Sequence, residues 1–205
     1  MAEMQTAATV TAAPAFHERT LASQLTRQTA LVIAGSALVA ICAHISIPLL
    51  FTPVPLTMQN FAVLLLGLLM DPAAVFASMT LYLIEGASGL PVFTPHGPGG
   101  LLQLLGPSGG FLLAYPFIAA SASLLARRIR PVSFTSLAFA AAAASLLLYI
   151  CGAAWFTVIS HLSLASTLKM TVLPFLPGDA LKVIAAAAIA IGAMKLRNRN
   201  TAPAI

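Results

Sequence analysis

Charged residues are scarce in this chain of 205 residues, which contains ten Lys and Arg and five Asp and Glu. They make up only 7% of the sequence, whereas hydrophobic residues make up 60%. A soluble domain carries about 25% charged residues. The composition therefore excludes an ordinary soluble domain and indicates an integral membrane protein. Because no long polar linker separates the apolar segments, we expect one compact domain.

Side chains that commonly perform chemistry are also few. The two cysteines, Cys42 and Cys151, lie inside apolar segments, which favours buried thiols over the alternative of a disulfide. The four histidines are scattered, and the sequence contains no phosphate-binding loop that ends in Gly-Lys-Ser/Thr. We expect no catalytic residue, no metal site and no cofactor in this chain. An intramembrane enzyme is a weaker alternative, since it would need a nucleophile with its base or a metal cluster.

The apolar segments predict an all-α membrane protein, a bundle of six transmembrane helices with a Gly/Pro-rich external loop between helices 3 and 4. This substrate-binding domain would cover residues 29–196, between a disordered cytoplasmic tail at 1–28 and a cytoplasmic tail at 197–205. Several spans are shorter than the roughly 20 residues that a spanning helix needs, so their boundaries are approximate. The predicted spans are residues 29–47, 56–70, 73–87, 111–126, 134–159 and 174–195.

Basic residues are unevenly distributed among the segments that connect these spans. With the N-terminus inside, the inner segments hold every Lys and Arg except Lys169 and Lys182. Cytoplasmic segments of membrane proteins carry such an excess, so we expect both termini in the cytoplasm. The basic residues form no single patch, which argues against a nucleic-acid partner despite the net charge of +5.

The sixth span carries two opposite charges near its start, Asp179 and Lys182. A charge at the bilayer centre costs roughly 2.5–3.5 kcal/mol on insertion scales, so it usually faces a cavity or a partner. The spacing i, i+3 puts both side chains on one helical face. They could project into a small-molecule pocket, or Asp179 could cap the helix and Lys182 pair with it. The residues alone leave both interpretations open.

Other polar residues near the outer ends of the spans are candidates for the same pocket. Gln59 and Asn60 are adjacent and point to different faces, so we expect at most one of them to face a cavity. Tyr82 and Glu85 lie one turn apart, and Glu85 is either a solvated helix end or a pocket acid. Trp155 is interpreted as an interfacial anchor, with stacking on a ligand as the alternative.

Residues 86–110 contain eight of the thirteen glycines and four prolines. Such a stretch cannot form one spanning helix, and non-helical backbone at membrane depth needs cover from protein or a water-filled cavity. We expect a lid over a pocket. His96 in this stretch has no ligand spacing, so we interpret it as a loop residue.

Small residues recur on the first span at Ala30, Ala34, Ser36 and Ala40. Small-xxx-small faces let helices approach closely. The stripe could dock either another helix of this chain or a helix of a partner.

Four motifs resemble the BioY family, the biotin-specific substrate-binding components of energy-coupling factor vitamin transporters. They are SIPLLFTPVPLTMQNFAVLLLGLL, LYLIEGASGLPVF, LLGPSGGFLLAYP and PGDALK, in that order along the chain. The resemblance implies a six-helix bundle in the bacterial cell membrane that binds biotin near the outer face. It favours the pocket role for Asp179 and Lys182. Glu85 and His96 receive no ligand role from it, because many members have an aliphatic residue where Glu85 stands and the region of His96 is variable.

The resemblance also implies that the loop after the third span closes over the vitamin, which here involves Gly89, Leu90, Pro91, Phe93 and the pair Gly99–Gly100. The predicted substrate site is therefore Asp179, Lys182, Gly89, Pro91, Phe93, Gly100, Tyr82 and Gln59.

The partners that the resemblance implies are a transmembrane coupling subunit and two cytoplasmic ATPase subunits, which would use the ATP. Ala30 and Ala34 would dock the coupling subunit. The alternatives are a facilitator that acts alone and a binding component for another vitamin.

Overall fold

A computed structural model describes residues 14–201, and almost all of this range is helical. The helices are α1 (Pro14–His44), α2 (Gln59–Leu69), α3 (Pro72–Ala87), α4 (Gly100–Leu105), α5 (Gly109–Arg128), α6 (Phe134–Ser160), α7 (Leu164–Thr171) and α8 (Leu176–Thr201). Two short strands, β1 (Ser46–Ile47) and β2 (Leu56–Thr57), pair antiparallel between α1 and α2, with Ser46 opposite Thr57.

Within the described residues, four helical segments are long and apolar enough to cross a membrane: Ser23–His44, Gly109–Arg128, Phe134–Ser160 and Leu176–Arg197. The chain is thus a multi-pass membrane protein of the all-α class, as the composition predicts. The other two predicted spans form shorter apolar helices, α2 with 11 residues and α3 with 16. At a rise of about 1.5 Å per residue, α2 covers only about half of a 30 Å hydrocarbon core.

The helices at the two ends of the chain extend beyond the predicted spans. α1 begins at Pro14, so residues 14–28 are helical rather than disordered, and the remainder of the predicted tail lies outside the described residues. After Pro14 this stretch contains neither Gly nor Pro, which lets the helix of the span continue through it. α8 likewise continues to Thr201, into the predicted C-terminal tail.

The small residues of α1 lie on two different faces of the helix, one buried and one exposed. Gly35 and Ser36 are buried against α3, where a Cβ at Gly35 would clash with the side chain of Ser78. Ser36 donates a hydrogen bond to the Glu85 carboxylate. Ala30 and Ala34 are exposed instead. Packing within the chain therefore accounts for one face of α1 only.

Trp155 holds α6 against the turn between α4 and α5. Its Nε1 donates to the Gly106 carbonyl at 3.0 Å, and a Cβ at Gly110 would clash with its side chain. The half-buried indole therefore packs against this turn, and its role as an interfacial anchor stays a prediction. Close packing requires glycine at Gly109 and Gly110, which begin α5, because a Cβ would clash with the Leu104 carbonyl or with Trp155.

Candidate ligand-binding site

A cavity of about 600 Å³, including its open mouth, lies where α2, α5 and α8 begin. Its lining comes from these helices, from α6, from the end of α7, and from the segments around β2 and α4. The lining residues are Val54, Pro55, Thr57, Gln59, Asn60, Thr94, Gln103, Ser108, Phe111, Leu112, Tyr115, Leu148, Tyr149, Thr171, Phe175, Asp179 and Lys182.

Asp179 and Lys182 form an ion pair in the wall of this cavity. Lys182 Nζ lies 2.7 Å from Asp179 Oδ1, and the two residues are only 7% and 8% exposed. The backbone N–H of Asp179 already donates to the Phe175 carbonyl, and within the described residues its carboxylate accepts hydrogen bonds from other side chains. The cap interpretation is therefore wrong, and the pair does border a cavity as predicted.

Three donors from three helices converge on the Asp179 carboxylate. Lys182 on α8 binds Oδ1, while Asn60 Nδ2 on α2 donates to Oδ2 at 3.0 Å and the Tyr149 hydroxyl on α6 donates to Oδ2 at 2.6 Å. A buried charge pair is retained at acceptable cost only when further hydrogen bonds satisfy its remaining lone pairs. The carboxylate thus fixes the relative positions of the three helices at the site.

Both adjacent amides of α2 line the cavity, so the expectation that at most one would do so is wrong. The cavity covers the first turn of α2, where Gln59 and Asn60 both lie. Both polar atoms of the Gln59 amide have partners inside the protein, because its Oε1 accepts from Thr57 and its Nε2 donates to the Tyr82 hydroxyl. Tyr82 lies behind Gln59 and does not line the cavity.

The residues that were predicted in the lid take different positions. Phe93 is 4% exposed and packs over Gly86, with its ring centroid 5.3 Å from that of Tyr82. Phe93, Gly89, Pro91 and Gly100 do not line the cavity. Gly89 and Gly100 have positive φ angles of 96° and 58°, which glycine adopts most readily, so both shape the course of the segment.

Thr94 and Gln103 are the side chains by which this segment borders the cavity. Thr94 donates to Ser46 Oγ at 3.2 Å, and the same oxygen lies 3.0 Å from His96 Nδ1. Gln103 Nε2 donates to Ser108 at 3.0 Å. His96 is thus a loop residue joined to β1, and no group of three His, Cys, Asp or Glu side chains in residues 14–201 could hold a metal ion. Glu85 does not line the cavity.

The cavity combines one polar end with apolar walls. Asp179 and Lys182 are its two charged lining residues and cancel each other, while Val54, Leu112 and Leu148 are apolar. Such a site suits a small molecule with a polar head and an apolar body. A single glutamine in the apolar run GLLQLL was a signal for Gln103, whereas nothing in the sequence marked Thr94.

Comparison with known proteins shows to which family this chain belongs. A sequence model described as BioY family matches residues 5–199. The chain is 37% identical over 142 residues to a probable biotin transporter BioY of Bacillus subtilis, covering 69% of this chain and 75% of the relative. It is 35% identical over 164 residues to a probable biotin transporter BioY of Pyrococcus horikoshii, covering 80% and 94%.

The fold is similar to a solved structure as well. The crystal structure of the S-component for biotin from an ECF-type ABC transporter superposes with a TM-score of 0.78 at 26% identity, covering 84% of this chain and 93% of that one. These relatives are transporter components and not enzymes. The chain belongs to the BioY family.

Proposed function

We propose that this chain binds biotin and delivers it into the cell as the substrate-specific component of an ATP-driven vitamin transporter. The observation that carries this proposal is the buried Asp179–Lys182 pair in the wall of the cavity. Relatives that match two thirds or more of the chain are named as biotin transporters, which supports biotin over another vitamin.

The chemistry of biotin suits the two ends of the cavity. Its ureido ring offers two N–H donors and a carbonyl acceptor, and the thioether ring and alkyl chain are apolar. The Lys182 ammonium has donors left beyond the one that binds Asp179, and can donate to the ureido oxygen. Asp179 is bound by three donors and can accept one more hydrogen bond from a ureido N–H. Phe111, Leu112 and Leu148 contact the apolar part.

The segment after α3 closes the site above the vitamin. Gly89, Pro91 and Gly100 allow it to turn, and Phe93 attaches it to α3 over Gly86. Gln59 and Tyr82 support the first turn of α2 from behind the cavity. Thr94 and Gln103 are the side chains of this segment that reach the ligand.

The chain crosses the bacterial cell membrane six times in this proposal. α2 and α3, which are too short to span as perpendicular ideal helices, are completed by the non-helical segments beside them. Both termini are cytoplasmic, which agrees with the excess of Lys and Arg on that side. The cavity then opens outward, where a scarce vitamin is captured.

Energy comes from partner subunits, because the sequence contains no ATP-binding loop. A transmembrane coupling subunit binds the exposed face of α1 at Ala30 and Ala34, and two cytoplasmic ATPase subunits hydrolyse ATP. Small exposed residues at this spacing allow a partner helix to approach closely.

Calorimetry of the purified full chain with biotin, thiamine and riboflavin tests the proposal. Saturable binding of biotin alone supports it. Binding of another vitamin in place of biotin would assign the chain a different substrate. Biotin uptake by cells that express the chain with and without the ATPase subunits then separates the transporter component, which needs them, from a facilitator, which does not.

A further inference from the structure

In the described part of the chain, the side-chain amide of Asn60 has a hydrogen-bond partner at its nitrogen but none at its oxygen. Asn60 is 6% exposed and lines the cavity, and its Nδ2 donates to Asp179 Oδ2 at 3.0 Å. Its Oδ1 is buried and has no hydrogen-bond donor within residues 14–201. A buried acceptor without a donor loses its hydration and gains nothing in return. Such an atom beside a ligand cavity calls for a ligand that supplies the donor.

The orientation of this amide is determined by its neighbour. An ionised carboxylate only accepts hydrogen bonds, so the amide nitrogen must be the atom that faces Asp179. A rotated amide would place Oδ1 against a carboxylate oxygen, and two acceptors would then repel. The atom that is left for a ligand is therefore an acceptor.

The unpaired acceptor belongs to Asn60 and not to the neighbouring side-chain amide of Gln59. Gln59 lines the same cavity, but Thr57 donates to its Oε1 and its Nε2 donates to Tyr82. The other unpartnered buried side-chain atom in the described part of the chain is Ser145 Oγ. Ser145 does not line the cavity, which makes it a matched control.

We infer that Asn60 Oδ1 accepts a ring N–H of the bound vitamin and so makes the site selective for a cyclic urea. This inference rests on the proposed function. Asn60 and Lys182 bind opposite oxygens of one carboxylate, so an acceptor and a cationic donor flank the same carboxylate. A cyclic urea presents an N–H and a carbonyl oxygen on adjacent atoms of one edge, which is the complementary pattern. Asp179 holds both groups in place and is a positioning residue for this contact.

The test uses biotin and its two cyclic carbamate analogues, in which one or the other ring N–H is replaced by oxygen. These analogues keep the shape of the ring but remove one donor each. We expect the wild-type chain to bind one of them about tenfold more weakly than biotin, since a donor is replaced by an acceptor facing Oδ1. In Asn60→Leu, biotin and that analogue should bind with nearly equal affinity. Ser145→Ala should keep the wild-type ratio.

The deciding quantity is the ratio of the dissociation constants of that analogue and of biotin. A purely structural role of Asn60 would weaken the binding of all three ligands alike and would leave this ratio unchanged. An unchanged ratio in Asn60→Leu overturns the inference, as does wild-type protein that binds both carbamates as tightly as biotin. The latter measurement needs no variant, and Asn60→Ala replaces Asn60→Leu if the leucine variant does not elute as a folded monodisperse species. Wild-type protein that binds no biotin at all refutes the proposed function instead.

Discussion

The hydroxyl of Tyr149 on α6 donates a hydrogen bond of 2.6 Å to Oδ2 of Asp179 on α8. Together with Asn60 of α2 and Lys182, it makes Asp179 the point where three helices meet beside the cavity. The same carboxylate thus holds the bundle together and positions the polar groups that face a ligand.

The variant Tyr149→Phe removes one donor from this carboxylate. We expect it to lower the free energy of unfolding by about 1.5–3 kcal/mol, as is usual for a buried hydrogen bond to a charged group. Thermal unfolding in detergent, followed by circular dichroism, measures the change. Tyr115→Phe is the control, since the Tyr115 hydroxyl makes no hydrogen bond within residues 14–201. Equal melting temperatures for both variants would contradict the role of Tyr149.

The ion pair can be tested separately for stability and for binding. Lys182→Met leaves Asp179 buried without its cation, which should destabilise the chain by about 3–5 kcal/mol. The double variant Asp179→Asn with Lys182→Met is neutral and should recover most of that loss. It should still bind biotin more than about tenfold more weakly than wild type, because the charge-assisted bonds are gone. A double variant that recovers both stability and biotin affinity would rule out a direct role in binding.

Gly86 is required for the position of Phe93. A Cβ at Gly86 would clash with the Phe93 ring, so Gly86→Ala should cost about 1–3 kcal/mol of stability through overpacking. Displacement of Phe93 also loosens the segment that carries Thr94, so radiolabelled biotin should dissociate faster from the variant. Gly192→Ala is the control, because a Cβ there meets nothing within 4 Å. Wild-type dissociation from Gly86→Ala would show that Phe93 does not hold the segment closed.

A substitution on the exposed face of α1 should impair assembly with the coupling subunit without changing the binding of biotin. Ala34→Leu adds bulk where a partner helix would approach, so we expect loss of the coupling subunit in co-purification and unchanged biotin affinity in calorimetry. Ala154→Leu, at an exposed position on α6, controls for bulk on a lipid-facing surface. Undiminished recovery of the coupling subunit with Ala34→Leu would place the docking surface elsewhere.

Much of this architecture could be predicted because it is encoded locally. The apolar segments, the Gly/Pro-rich stretch and the i, i+3 spacing of Asp179 and Lys182 are all visible in short windows of sequence. The partners of Asp179 are not, since Asn60 lies 119 positions away and Tyr149 lies 30 positions away. Whether two residues so far apart along the chain are in contact depends on how the helices pack, and a single sequence does not show this packing.

The roles of the small residues on α1 and of the Gly/Pro-rich segment after α3 could not be predicted from the sequence for the same reason. Ala30, Ala34 and Ser36 look alike in sequence, but only the packing of α1 on α3 shows that Ser36 is buried and the two alanines are exposed. We expect Phe93 in the ligand site from the sequence, yet its ring fills the space above Gly86 and packs edge-on against Tyr82. Thr94, one residue later, points to the cavity instead.

In the proposed function, the buried Asp179–Lys182 pair in the cavity wall serves to bind biotin. The most direct test of this role is calorimetric titration of biotin into the purified wild-type chain and into the neutral double variant Asp179→Asn with Lys182→Met. We predict saturable binding to the wild type with one site per chain, and a loss of affinity of more than about tenfold in a double variant that remains folded. Equal biotin affinity in the two proteins, or no binding to the wild type, would contradict the account.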